Sequence, residues 1–187
     1  MMSDGQQIRH DFAAWAASTA ARSSKLARFN VSAGRTAIAS DSRLSQIACG
    51  LEHLPEPGDF DEWHRSICET VQKNLTGLAG TPYQFGVSAK LVNVYLKALL
   101  ISEFGDDRPD GNLALRVAAV HPPIDRSLLG ALEREDFGDF KSEWHTYKMR
   151  SWSTFSFEDY SEVIRLIRVA TGGVLWKIEK HWPGQQL

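Results

Sequence analysis

Gly86-Val87-Ser88-Ala89-Lys90-Leu91-Val92-Asn93-Val94-Tyr95-Leu96-Lys97 is the stretch on which the fold turns. It is apolar over most of a helical circumference, and Lys90, Asn93 and Lys97 fall at i, i+3 and i+7 on one polar stripe. A helix apolar nearly all round is buried between neighbours. The pattern therefore predicts a central helix from near Val87 to Phe104, with Gly105 as its C-cap. A lysine buried in such a helix is costly unless it is paired. Burial disfavours the ammonium and lowers its pKa, which is how an amine becomes a nucleophile near neutral pH. The competing reading has Lys90 and Lys97 snorkelling to solvent along an exposed stripe.

Working outward, periodicity is helical nearly throughout. Ile8, Phe12, Trp15, Ala16 and Ala20 repeat at helical spacing behind a cap at Ser3, with Gln6 three residues on. Ser42 to Leu54 reads as a second helix, ended by Pro55-Glu56-Pro57-Gly58. Asp59 and Glu62 form a capping-box pattern for a helix to about Leu78, and residues 77–82 are a connector. Residues 105–112 form a turn-rich loop, and Leu113 to Val120 is a short apolar segment. The pair Pro122-Pro123 halts any helix until Asp125 opens one through about Leu132. Ser156 with Asp159 caps a late helix ending at Gly172-Gly173, and Trp176 to Trp182 is a terminal segment. No hairpin signal interrupts this, so the fold class expected is all-α, one domain over 1–187.

Composition narrows the function classes. The 187 residues are 43% hydrophobic and 24% charged with a net charge of −2, which excludes a disordered chain. No uninterrupted apolar run reaches the ~18 residues of a membrane span, and the N-terminus lacks a signal-peptide core. Cys49 and Cys68 are too few for a disulfide scaffold, a four-cysteine zinc site or an iron–sulfur cluster. These features predict a soluble, cytoplasmic protein with no metal, no cofactor and no membrane partner. Charge is unevenly spread: residues 1–50 carry six Lys/Arg, among them Arg22, Lys25, Arg28, Arg35 and Arg43, against three acids. Residues 51–70 carry six acids against Arg65 alone. Local positive surface of this kind permits nucleic-acid binding, whereas the net charge excludes coating by bulk charge.

The segment His121-Pro122-Pro123-Ile124-Asp125-Arg126-Ser127-Leu128-Leu129 sets a carboxylate at a helix start behind two stiff prolines. Asp125 reads either as a plain N-cap or as a buried partner for a lysine. Gly86 at the start of the lysine helix would let a phosphate approach the backbone, and first-turn N–H groups favour an anion.

Together these segments resemble the helix–hairpin–helix DNA glycosylase superfamily. Gly86-Val87-Ser88-Ala89-Lys90 through Asn93 is similar to the second half of its signature, Gly-Val-Gly-x-Lys-x-Ala-Asn. His121 to Leu129 is similar to the Pro-Val-Asp-Thr-His segment holding the catalytic aspartate. The resemblance spans residues 60–132. Ser88 replaces the second hairpin glycine, and Arg126-Ser127 replaces Thr-His. The 35-residue Lys90–Asp125 separation is closest to the archaeal 8-oxoguanine glycosylase branch, and the cysteine cluster of the iron–sulfur enzymes is absent.

The resemblance implies a helix–hairpin–helix glycosylase-like domain acting as a monomer on double-stranded DNA with a damaged or modified base. It implies that Lys90 attacks the sugar C1′ and forms a Schiff base, with AP-lyase activity as a sequel, while Asp125 steadies the developing positive charge. Gly86, Val87, Ser88 and Asn93 would bind DNA. His121, Trp152 and Phe155 would line the pocket for a flipped base, which needs apolar or aromatic walls; Trp144, Tyr147, Phe157 and Tyr160 are further aromatic candidates. An oxidised purine is the first substrate implied. The departures from the repair signature suit a specialised enzyme acting on modified bases of bacteriophage DNA in antiviral defence. Two other classes remain open: a non-catalytic DNA-binding module of the same fold, and a helical protein-interaction domain.

Overall fold

A computed structural model describes residues 2–104 and 109–182. The fold is all-α, and no strand occurs among the described residues. The helices are α1 (Asp4–Ala20), α2 (Val31–Ala39), α3 (Ser42–Cys49), α4 (Phe60–Ala79), α5 (Phe85–Phe104), α6 (Gly111–Ala118), α7 (Arg126–Arg134), α8 (Lys141–Arg150) and α9 (Phe157–Thr171). Short 3₁₀ turns join several of them, and a 3₁₀ segment, Leu175–His181, closes the described chain.

Helix α5 is the axis. It packs against α1, α4, α9 and the 3₁₀ turn Trp152–Thr154. Val87, Ala89, Leu91, Val92 and Leu99 are fully buried along it. Among the described residues it is the one helix long and apolar enough to cross a membrane, yet two thirds of it is buried inside the protein. Its role in this fold is that of a core helix.

Caps follow the local chemistry in most places. Ser3 and Gln6 exchange side-chain and backbone hydrogen bonds at the start of α1, as do Ser156 and Asp159 at α9. Asn30 and Asp41 cap α2 and α3 through their side-chain oxygens. The capping box expected at Asp59 does not form. Asp59 sits at φ −98°, ψ −7°, inside a 3₁₀ turn over Pro57–Asp59, so its carboxylate is not turned back onto the first N–H groups. Helix α4 instead runs on through Gly77 to Ala79 and stops at Gly80, whose φ of +67° favours glycine. The connector is thus residues 80–84, shorter than expected. The expected helix from Ser42 to Leu54 ends at Cys49, where extended Gly50 gives way to a 3₁₀ turn over Leu51–His53. The expected C-cap Gly105, with residues 106–108 of the following loop, lies outside the described residues.

Helix α1 reverses the face its large side chains suggest. Ile8, Phe12 and Trp15 are 69%, 57% and 49% exposed, whereas Ala13, Ala14 and Ala17 are buried. Small residues let α1 approach α5 closely, so the bulky stripe points outward. A second close approach pins the start of α5. A Cβ on Gly86 would stand 2.0 Å from the carbonyl oxygen of Trp152, and the Gly86 N–H donates to the Phe155 carbonyl at 3.0 Å. Gly86→Ala is therefore expected to cost about 2–3 kcal/mol through overpacking, lowering Tm by roughly 5–10 °C. Thermal melts followed by circular dichroism check this against Gly58→Ala, where nothing lies within 4 Å. Equal melting of the two variants would contradict the packing role.

Candidate active site

Helices α5 and α7 bring the two sequence-predicted catalytic residues together. Lys90 projects from the second turn of α5 and is only 5% exposed. Its Nζ lies 3.2 Å from Oδ2 of Asp125, the residue preceding α7. The other oxygen, Oδ1, accepts the Leu128 N–H at 2.9 Å. The cap and the ion pair, alternatives from sequence alone, are thus both made by one carboxylate. The cap fixes the carboxylate's direction, and Pro122-Pro123 restrict the backbone that delivers it. The Trp152 ring covers the amine from another side, with its centroid 4.5 Å from Nζ. Burial pushes the Lys90 pKa down, against the opposing pull of Asp125.

Both residues open onto a cavity of about 710 Å³, within the range of roughly 300–1,000 Å³ typical of small-molecule sites. Its α5 wall is Lys90, Val94, Lys97, Ala98 and Ile101, a single helical face. Its α1 wall is Phe12, Ala16 and Ala20, and Pro123 and Trp182 contribute to the lining. Lys97 pairs with Glu179, and its Nζ lies 4.6 Å from the Trp182 ring centroid. Burial raises the Glu179 pKa ahead of the opposing pull of Lys97. Lys90, Asp125 and Lys97 thus face a chamber whose lining is otherwise apolar apart from Ser102, and each lysine is paired with a carboxylate and lies beside a tryptophan.

Other predicted site residues are placed differently. Gly86, Val87 and Ser88 are buried beneath the Trp152 turn. The Gly86 and Val87 N–H groups donate to the carbonyls of Phe155 and Gln84, and the Ser88 hydroxyl donates to Phe85. Their donors are committed internally, which corrects the expectation of phosphate contact. Asn93, expected at DNA, is fully buried: its Nδ2 donates to the Pro122 carbonyl at 2.9 Å and to the Tyr160 hydroxyl at 2.8 Å. Phe155 is fully buried and packs edge-on against Tyr147, away from the cavity lining. Of the predicted base-pocket residues, Trp152 alone touches a catalytic candidate. Trp144 and Tyr160 are buried in the core, and Phe157 packs on Phe85.

His121 belongs to a buried polar chain, not to the cavity. With both imidazoles neutral, His64 Nε2 donates to Asn93 Oδ1 at 2.6 Å, and the Tyr160 hydroxyl donates to His121 Nδ1 at 3.0 Å. His121 Nε2 then donates to Asp61 at 2.9 Å, where Arg168 also donates. This chain ties α4, α5 and α9 to the Pro122 backbone three residues before Asp125. Sequence reading missed Phe12, Lys97, Glu179 and Trp182 as site residues; for Lys97 and its neighbours the i, i+4, i+7 spacing from Lys90 was an available signal.

Comparison of the chain with protein-family models, characterised proteins and solved structures finds no match.

Burial lowers the pKa of His10, His64 and His121, most strongly for His64. Each binds a proton less readily folded than unfolded, so their contribution to stability is complete above about pH 6.5 and falls as pH drops below it. Asp61, held low by His121 and Arg168, loses its contribution only below about pH 4. Tm is expected to be lower at pH 5 than at pH 7.5. His64→Gln, which retains a donor toward Asn93, should shrink that difference. Identical melting at both pH values would contradict the neutral chain.

Proposed function

We propose that this chain is a DNA glycosylase with Lys90 as nucleophile and Asp125 as its assisting carboxylate. The observation that carries the reading is the buried Lys90–Asp125 pair opening onto the apolar cavity. An exposed surface ion pair would carry no such implication. Here the amine is desolvated, its pKa is lowered, and a proton acceptor lies 3.2 Å away. Asp125 Oδ2 takes a proton from the Lys90 ammonium, and the neutral amine attacks C1′ of a flipped nucleotide. The C1′–N bond breaks with its electron pair going to the base, which takes the proton held by Asp125 and leaves neutral, returning Asp125 to a carboxylate. Opening of the sugar ring then gives an imine between Nζ and C1′. The carboxylate steadies the positive charge that develops on the sugar, in a site sheltered from water.

The chamber supports a nucleobase as the group released. Phe12 and Trp182 offer aromatic surface for stacking, and base flipping demands such a pocket. Lys97 on the cavity wall offers a hydrogen-bond donor, which fits a base edge carrying a carbonyl. A volume of about 710 Å³ also leaves room for a bulky substituent, so oxidised purines and enzymatically modified pyrimidines of phage DNA are both within the substrate class proposed.

The test is borohydride trapping on duplexes containing 8-oxoguanine and on phage DNA carrying modified cytosines. Hydride reduces the imine to a stable secondary amine, so a covalent protein–DNA adduct with wild type is expected. Lys90→Gln should abolish both adduct and base release. Asp125→Asn, which preserves the cap, should cut turnover about 10³-fold or more while retaining DNA binding. Full base release by Lys90→Gln would overturn the assignment. DNA binding by wild type without release from any substrate would favour a non-catalytic binding module.

A further inference from the structure

The basic N-terminal third has an outcome the proposed chemistry does not use. Arg35 and Arg43 are neutralised by Asp11 and Asp41, and Arg9 pairs with Glu103. Arg22, Lys25 and Arg28 are exposed and make no ion pair among the described residues. They sit on the segment between α1 and α2, which begins where Ala20 lines the cavity.

The backbone that carries these cations is held to the core at several points. Ala21 and Ala27 are fully buried, and the Ser24 hydroxyl is 2.8 Å from that of Ser153, next to the Trp152 that covers Lys90. The Leu26 N–H donates to the Ser24 hydroxyl, the Ala27 N–H to the Ser24 carbonyl, and the Tyr83 hydroxyl to the Arg28 carbonyl. The segment is thus a braced loop carrying three unneutralised cations, joined to the cavity wall at Ala20 and to the turn beside Trp152 at Ser24. Arg126, exposed and unpaired among the described residues, adds a fourth next to Asp125. The start of α5 meanwhile has its donors committed to Phe155 and Gln84.

We propose that the Arg22–Arg28 loop, with Arg126, is the surface that grips the phosphates of duplex DNA around the flipped nucleotide, in place of the amino end of α5. This rests on the glycosylase reading for the identity of the polyanion. The cations neutralise phosphates and release counterions, and the bracing spares the entropy of ordering a loose loop on binding.

The experiment measures duplex affinity by fluorescence anisotropy between 50 and 200 mM salt, using a duplex with a stable abasic-site analogue. Three proteins are compared: wild type, the rim triple Arg22→Gln/Lys25→Gln/Arg28→Gln, and a control triple Lys73→Gln/Arg134→Gln/Lys141→Gln of equal charge. All six positions are exposed, and circular dichroism verifies folding. The slope of log affinity against log salt should fall by about three in the rim triple and stay unchanged in the control. Arg126→Gln alone should lower it by about one. A wild-type slope in the rim triple, or equal losses in both triples, would overturn the loop while leaving the glycosylase reading intact. Absence of any wild-type affinity would overturn both.

Discussion

The Lys90–Asp125 pair is the constraint around which the molecule is arranged. Two charges so far from water are expensive, and their attraction offsets the cost only when geometry is good and remaining valences are filled. Asp125 meets that condition by spending one oxygen on the Leu128 N–H and the other on Lys90. Removing either partner leaves an uncompensated charge, at a cost on the order of 3–5 kcal/mol for a fully buried pair. Such a pair is poor value as a structural fastener, because well-packed apolar residues would serve as well. Its presence at a cavity is intelligible as stored chemistry.

Much of the surrounding structure positions this pair. The close approach at Gly86 draws the Trp152 turn onto α5 and brings the indole ring over the amine. The buried chain from His64 through Asn93, Tyr160 and His121 to Asp61 anchors the backbone at Pro122, upstream of Asp125. Each buried donor in that chain meets an acceptor, so the network rigidifies the core at little net cost. Asn93, one helical turn from Lys90, thus acts on the carboxylate's side of the site while pointing away from the cavity.

The sequence made some of this legible and hid the rest for physical reasons. The apolar circumference of α5 and the proline-stiffened start of α7 are local signals that singled out Lys90 and Asp125. They left open a snorkelling lysine and a plain N-cap, and only the tertiary structure shows the two groups 3.2 Å apart. The cavity walls were harder to read. Phe12 belongs to a stripe that periodicity assigns to a core face, but alanines on the other side of α1 pack on α5 and leave the bulky side chains outside. Hydrophobic spacing reveals that a helix has two faces; it does not reveal which one a neighbour can approach more closely. Glu179 and Trp182 reach the site from the far end of the chain, so only tertiary structure could place them. Gly86 matches a phosphate-binding pattern in sequence, from which Ser88 departs, yet the Trp152 carbonyl fills the space beside Gly86 and Ser88 is fully buried.

The central claim is that burial beside Asp125 makes Lys90 an unusually weak base. Its most direct test is a side-chain NMR titration of protein labelled with ¹³C at the lysine ε carbons, with Lys90→Gln supplying the assignment. One resonance, missing from the variant, should titrate below the ordinary lysine value of about 10.4. If the Lys90 resonance titrates at or above that ordinary value, the account of Lys90 as a nucleophile activated by its surroundings is contradicted.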